Sequence, residues 1–183
     1  MRYSVFLLGF LLVFSSFTAP KLVKTTINKQ ISLSLPKEFT IMPDEGIAQK
    51  YPAQRKPLAV YTSPNGQVDL AVSQRPASFK KSDLAMAKEF YKASLLSMYS
   101  DVEFIREEIT PINKQEFVVF EFVSTVKDER KTSNLSPVRR YTIVQYTIIG
   151  NQLTIFTFNV PFMLKRDWQE TAQQVMASVK VKE

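Results

Sequence analysis

Alternation of apolar and polar residues predicts most of the strands in this chain. Residues 31–35 read ISLSL, in which every second position is apolar, as in a strand that is buried on one face. Residues 58–74 repeat the alternation on either side of Asn65-Gly66, a pair that accepts the positive φ angles of a tight hairpin turn. Four longer apolar segments follow and are predicted to be successive strands: 102–110, 115–125, 138–150 and 152–160.

Two segments change to helical spacing. One helix is predicted within residues 80–100, and its apolar stripe consists of Leu84, Ala87, Tyr91, Leu95 and Met98. A second helix follows Pro161, and its stripe consists of Leu164, Trp168, Ala172, Val175 and Val179. Because an apolar stripe must be covered, both helices are expected to pack on the sheet.

The apolar faces of the strands determine where the helices lie. In the segment 115–125, one face carries Val118, Phe120 and Phe122, and the other carries Phe117, Val119 and Val123 together with Glu121. Apolar residues on both faces indicate a central strand that is covered on both sides. We therefore predict an α+β fold in which an antiparallel β-sheet of about six to seven strands is sandwiched by helices on both faces.

The first twenty residues, MRYSVFLLGFLLVFSSFTAP, have the order of a secretory signal peptide: a positive charge, an apolar run and a segment of small residues. Phe17 and Pro20 suit a cleavage site after Ala19 poorly, so an uncleaved membrane anchor is the alternative. We predict a signal peptide at 1–19, a tether at 20–28 and a single domain at 29–183. The protein is expected to be exported, as a periplasmic or secreted protein.

The composition removes most catalytic chemistry. The chain has no Cys and no His, which excludes disulfides, zinc sites built on these residues and Ser–His–Asp triads. Its four glycines are dispersed, so no phosphate-binding loop is present. Neighbouring acids such as Glu107 and Glu108 point to opposite faces of a strand and do not converge. We predict no catalytic residue, no cofactor and no metal; a carboxylate-dependent hydrolase is the enzymatic alternative.

The charge is basic, with 24 Lys and Arg against 17 Asp and Glu, a formal net charge of +7. This balance favours acidic partners, although export makes nucleic acid a poor one. Residues 124–141, here called the arm, join two predicted strands, and their candidate partner-binding residues are Lys127, Arg130, Lys131, Arg139 and Arg140. Guanidinium groups pair bidentately with carboxylates and phosphates, which suits docking of an anionic partner. The alternative is a solvated loop whose charges suppress aggregation.

Two segments resemble PsbP/Mog-type domains: ISLSLPKEFTIM at 31–42 and YTIIGNQLTIFTFNVPFMLKRDWQETAQQVMASVKV at 146–181. In the second segment a hairpin leads to a strand, a proline and a helix, as at the end of these domains. Pro161, Trp168 and Ser178 occupy the places of the proline after the strand, a residue of the helix and the serine before the last short segment. The resemblance implies an α/β/α sandwich without enzymatic activity. It transfers no site residue, because members act through different surfaces.

The resemblance and the N-terminal segment together predict an exported bacterial accessory or binding protein without catalytic activity. Its partner is expected to be a protein of the cell envelope or secretion pathway, and contact with the membrane is expected only through an uncleaved N-terminal segment. The alternative function is a periplasmic carrier of a small apolar ligand or lipid.

Overall fold

The computed structural model describes residues 20–51, 56–128 and 135–182. In these ranges the chain forms ten strands and three α-helices. The elements, in chain order, are β1 (Leu22–Thr26), β2 (Ile31–Pro36), β3 (Thr40–Ile41), α1 (Asp44–Lys50), β4 (Ala59–Thr62), β5 (Asp69–Pro76), α2 (Leu84–Met98), β6 (Asp101–Ile112), β7 (Gln115–Val126), β8 (Val138–Ile149), β9 (Gln152–Pro161), α3 (Lys165–Ala177) and β10 (Lys180–Val181).

Seven strands form the main sheet in the order β3-β4-β5-β9-β8-β7-β6, and each neighbouring pair is antiparallel. This arrangement confirms the predicted antiparallel sheet. A second sheet, β1-β2-β10, was not predicted. It forms because β2 pairs on one side with β1 and on the other with the last strand of the described chain.

Helices cover both faces of the main sheet, as predicted. The α2 face is the one on which Tyr91 of α2 packs with Phe120 and Phe122. The α3 face is the opposite one, on which Val175 of α3 packs with Phe117 and with residues of the small sheet. The short helix α1 also lies on the α2 face, since Ile47 packs on Val60 and Ala71, and Ala71 alternates with the α3-face residues Leu70 and Val72.

The segment predicted to be a tether contains a strand. Residues 22–26 pair antiparallel with β2, from Leu22 opposite Pro36 to Thr26 opposite Ser32. Leu22 and Ile27 also pack against the large core cluster. The polar, basic composition of this segment concealed the strand, because an edge strand obtains its stability from backbone hydrogen bonds as much as from apolar burial.

The predicted helical stripes are largely buried. In α2 the stripe is buried from Leu84 to Leu95, but Met98 is exposed because the helix ends there. In α3, Trp168 is half-buried against the rings of Phe39 and Phe158, with centroid distances of 5.6 and 6.4 Å. The segment after Pro161 therefore closes the fold on its α3 face.

Ser178 fastens the end of α3 to the small sheet. Its hydroxyl donates to the Val175 carbonyl at 2.6 Å and accepts the backbone N–H of Ser34 at 2.8 Å. The Asn113 side chain, in the turn between β6 and β7, donates to the carbonyls of Ala177 and Val179. The bonds to the Val175 and Ala177 carbonyls satisfy backbone groups that a helix leaves unpaired at its C-terminus.

Within the described ranges, no helix has both the length and the apolar character needed to cross a membrane. The predicted signal peptide at 1–19 lies outside the described residues.

Candidate functional site

The basic residues of the arm are divided between the two faces of the sheet. Arg139 and Arg140 are consecutive on β8, so their side chains point to opposite faces. The Arg139 guanidinium lies 3.8 Å from the centroid of the Phe162 ring, on the α3 face. Arg140 lines a cavity on the α2 face, and Lys127 is exposed where the arm leaves β7. Arg130 and Lys131 lie outside the described residues.

Arg140 belongs to a polar cavity at the place where the arm joins the sheet, here called the arm-end cavity. The cavity has a volume of about 260 Å³. Its floor is the sheet, one wall is the end of α1, and another wall is Tyr99, directly after α2. Two exposed aliphatic side chains, Val126 and Val138, stand at its rim, where β7 ends and β8 begins.

The floor follows from strand register. Asp69 at the start of β5 is opposite Asn159 of β9, and Arg140 of β8 is opposite Ser124 of β7. Thr142 of β8 donates its hydroxyl to Asn159 Oδ1 at 3.0 Å and so joins the two halves of the row. Four adjacent strands therefore present polar side chains on one face at one end of the sheet.

Asp69 is the buried acid of this cavity, with 1% of its surface exposed. Its Oδ2 atom contacts the Lys50 ammonium at 2.5 Å and accepts the Tyr51 hydroxyl at 3.1 Å. Its Oδ1 atom is buried and has no hydrogen-bond partner among the described residues. An unpaired buried acceptor is unusual in a folded protein, because desolvation of such an atom costs about 1–3 kcal/mol.

Both partners of Asp69, Lys50 and Tyr51, lie at the C-terminal end of α1. Tyr51 caps this helix through its backbone N–H, which donates to the Ile47 carbonyl at 2.8 Å. The Lys50 ammonium also donates to the Gly66 carbonyl at 2.8 Å, and so ties the helix to the β4–β5 hairpin turn. Gly66 has a φ of +68°, which glycine adopts without strain in such a turn.

Burial, and next the negative charge of Asp69, raise the pKa of the Tyr51 hydroxyl well above its usual range. Burial also raises the pKa of Tyr99 on the opposite wall. Both phenols therefore stay protonated at neutral pH and remain hydrogen-bond donors. None of the described carboxylates lies within 4.0 Å of the Arg140 guanidinium, so its charge is available to a group entering the cavity.

The arm-end cavity is suited to binding. It presents an acceptor without a donor, Asp69 Oδ1, and a cation, Arg140, which favours a carboxylate or phosphate. Elsewhere in the described chain, the neighbouring acids Glu107 and Glu108 pair separately with Lys92 and Arg106. No group of three acids that would hold a metal ion occurs among the described residues.

The sequence patterns missed Asp69, although a weak signal was present. The predicted β5 strand places Val68, Leu70 and Val72 on one face, so Asp69 falls between them on the other. Ala71 on that second face is also apolar, which indicates cover on that side. An acidic residue on a strand face that is predicted to be covered indicates a buried carboxylate. No signal in the sequence associates Lys50 and Tyr51 with it.

The chain has the fold of PsbP/Mog-type proteins. Solved structures that it resembles include the cyanobacterial PsbP, CyanoP, of Synechocystis sp. PCC 6803, with a TM-score of 0.57, 15% identity, and coverage of 90% of this chain and 94% of that one. The Ran-binding protein Mog1p of Saccharomyces cerevisiae matches with a TM-score of 0.57, 13% identity, and coverage of 89% and 96%.

A third similar structure is LpqN, involved in cell envelope biogenesis of Mycobacterium tuberculosis, with a TM-score of 0.57, 8% identity, and coverage of 89% and 91%. No protein-family model and no curated protein matches the sequence. The expectation drawn from ISLSLPKEFTIM and the closing segment is thus confirmed at the level of fold.

Proposed function

We propose that this chain is an exported accessory protein without catalytic activity, which binds a protein partner through the arm-end cavity and its rim. The observation that carries the proposal is the buried Asp69 Oδ1 atom, which no described residue bonds, in a cavity that Arg140 also lines. A binding partner that donates to Asp69 and presents an anion to Arg140 satisfies both groups.

A segment of polypeptide meets these needs better than a simple ion does. Its backbone N–H groups are donors for Asp69, and an acidic side chain provides the bidentate partner for Arg140. The rim adds apolar surface through Val126 and Val138, and Tyr99 adds an aromatic wall. Aromatic residues and arginine surrounded by such surface are typical of protein interfaces.

Two further observations support the proposal. The order of residues 1–19 is that of a signal peptide, which favours export. Among proteins of this fold, Mog1p is described as Ran-binding and LpqN as involved in cell envelope biogenesis. We extend binding, and location in the envelope, to this chain as part of the proposal.

The experiment compares charge reversal inside and outside the cavity. Wild-type protein, Arg140→Glu and Arg166→Glu are each used to capture partners from an envelope fraction; Arg166 is exposed on α3 and is the matched control. We expect one stoichiometric protein to be retained by the wild type and the control, and lost with Arg140→Glu. Thermal stability should stay within about 0.5 kcal/mol, because Arg140 is at the surface. Equal retention by both variants would contradict the proposal.

A second candidate function, transport of an apolar ligand, rests on a different cavity. An apolar groove of about 340 Å³ lies beside Trp168 and Phe39, between the start of α3 and the β4–β5 turn. Native mass spectrometry of the purified protein separates the two candidates. A lipid that copurifies and is lost in Trp168→Ala favours the carrier, whereas a protein adduct that depends on Arg140 favours the accessory protein.

A further inference from the structure

A second cavity lies on the α3 face, between α3 and the edge strand β6, and is here called the α3 cavity. Its volume is about 490 Å³, which is in the range of sites for small molecules. Glu121 of β7 lies in its wall, with 1% of its surface exposed. This cavity is on the opposite side of the sheet from the arm-end cavity, so a ligand here is independent of a partner bound there.

Glu121 is surrounded by neutral donors. Its Oε1 atom accepts the Tyr141 hydroxyl at 2.8 Å and the side-chain amides of Gln169 and Gln173 at 3.0 Å each. The two glutamines are four residues apart on α3, so both lie on one face of the helix and donate to the same carboxylate. Oε1 therefore accepts three hydrogen bonds, which hold the polar side of α3 against the sheet.

A β-bulge brings a cation to the same place. The register of β6 against β7 shifts between Phe104 and Arg106, so that Phe104 is opposite Phe122 but Arg106 is opposite Glu121. Phe104 packs on the α2 face, and without the extra residue Arg106 would point there too. The bulge turns Arg106 to the α3 face, where its Nε atom lies 3.6 Å from Glu121 Oε2.

Two residues that line the α3 cavity each have a buried polar atom without a hydrogen-bond partner among the described residues. One is the donor Nε of Arg106, which at 3.6 Å is too far from Glu121 for a hydrogen bond. The other is the acceptor Oε1 of Gln145, a residue with 1% of its surface exposed. Leaving both unpaired is costly, and both costs are removed by a ligand that accepts from Arg106 and donates to Gln145.

The chemistry of the two atoms selects the ligand. An ammonium group cannot accept from Arg106, and a carboxylate has no hydrogen to donate to Gln145. A hydroxyl group does both, and vicinal hydroxyls repeat the pattern. Ile112 and Ala177 supply apolar wall for the carbon–hydrogen side of such a molecule. We propose that the α3 cavity binds an uncharged polyhydroxylated ligand of the size of a monosaccharide.

NMR of the full-length protein tests this proposal, because the Arg106 Nε–H and the Gln145 side-chain amide both give ¹H–¹⁵N signals. The neutral probes are D-glucose and N-acetyl-D-glucosamine, and the charged probes, which carry no hydroxyl group, are acetate and methylammonium. We expect a neutral probe to shift both signals in a saturable way, and the charged probes to bind at least about tenfold more weakly, which corresponds to the loss of one good hydrogen bond.

The variants separate binding in the cavity from weak binding elsewhere. Gln145→Leu should reduce affinity for the neutral probe by about tenfold or more, whereas Glu107→Gln, on the same edge strand but paired with α2 through Lys92, should not change it. The unperturbed amide signals of each variant verify that it is folded. The proposal is overturned if neither neutral probe shifts the Arg106 and Gln145 signals up to about 100 mM, if acetate binds as tightly as the sugars, or if Gln145→Leu has no effect.

Discussion

Asp69 and Glu121 are two buried carboxylates on opposite faces of one sheet, and they are satisfied in different ways. Asp69 has a cation, Lys50, and one hydroxyl on the same oxygen, while its other oxygen has no partner in the described part of the chain. Glu121 has three neutral donors from within the protein, and an arginine nearby that does not reach hydrogen-bonding distance. Their exposed fractions are the same, so burial alone does not distinguish them.

The difference shows what each carboxylate does for the fold. The cation on Asp69 comes from a side chain that is one third exposed, so it returns to water readily if the acid is lost. The donors on Glu121 come from β8 and from α3, so they join a helix to the sheet. The unpaired oxygen of Asp69 can accept a hydrogen bond from a binding partner. The hydrogen bonds of Glu121 are made within the protein and hold α3 on the sheet.

The largest expected effect is that of Glu121→Ala. Removing this carboxylate leaves the buried Tyr141 hydroxyl without an acceptor and breaks the bonds that join Gln169 and Gln173 of α3 to the sheet, so we expect the free energy of unfolding to fall by about 2–4 kcal/mol. Urea denaturation measures this loss. The control is Glu116→Ala, an exposed acid on the same strand, which should change stability by less than about 0.5 kcal/mol. A loss below about 1 kcal/mol for Glu121→Ala would show that these hydrogen bonds do not hold α3 on the sheet.

Asp69→Ala should cost less, about 1–2 kcal/mol, because Lys50 is partly solvated and keeps its bond to the Gly66 carbonyl. The substitution also removes an unpaired buried oxygen, which offsets part of the loss. Asp44→Ala, which breaks an exposed pair with Lys56, is the control and should be nearly neutral. If the same urea experiment gave Asp69 a loss as large as that of Glu121, the distinction between the two carboxylates would be wrong.

Each of the two carboxylates accepts a hydrogen bond from a tyrosine, and these tyrosines make the free energy of unfolding depend on pH in the alkaline range. Burial, followed by the adjacent negative charge, raises the pKa of both Tyr51 and Tyr141 in the folded protein. The folded state therefore holds these protons longer than the unfolded state, and stability that is intact below about pH 10 is lost as pH rises further. Between pH 9 and 11 the loss is roughly 1 kcal/mol for each tyrosine.

Urea denaturation at pH 9, 10 and 11 measures this loss of stability. Tyr141→Phe and Tyr51→Phe should each make the decrease of the free energy of unfolding with pH less steep. Tyr61→Phe is a weaker control, because burial also raises the pKa of Tyr61 but no carboxylate contributes to the shift. A slope that neither Tyr141→Phe nor Tyr51→Phe alters would show that these two phenols do not carry the pH dependence.

Much of the fold was predictable, because it depends on local patterns. The apolar residues on both faces of the segment 115–125 predicted that β7 is covered on both sides. The apolar stripe from Leu84 to Leu95 predicted the face through which α2 packs on the sheet. The β1 strand was not predictable in the same way, since its partner β2 supplies the backbone hydrogen bonds that define it. The face of Arg106 was also hidden, because a single extra residue in β6 reverses the alternation.

The sites were only partly predictable. Arg140 was predicted from its charge and lies in the arm-end cavity, but the same reasoning grouped it with Arg139, which points to the other face. Glu121 was visible in the sequence as an acid on one of the two apolar faces of the segment 115–125. Its partners were not, because Gln169 and Gln173 meet it only after α3 folds back across β7.

Photo-crosslinking in cells that produce the protein tests most directly whether the Asp69 side of the molecule meets the partner. A benzophenone amino acid replaces either Val138, at the rim of the arm-end cavity, or Ile105, at the α3 cavity; these aliphatic residues have similar exposures of 54% and 43%. We expect a discrete protein adduct from position 138 and none from position 105. An adduct from position 105 with none from position 138 would contradict binding of the partner at the arm-end cavity.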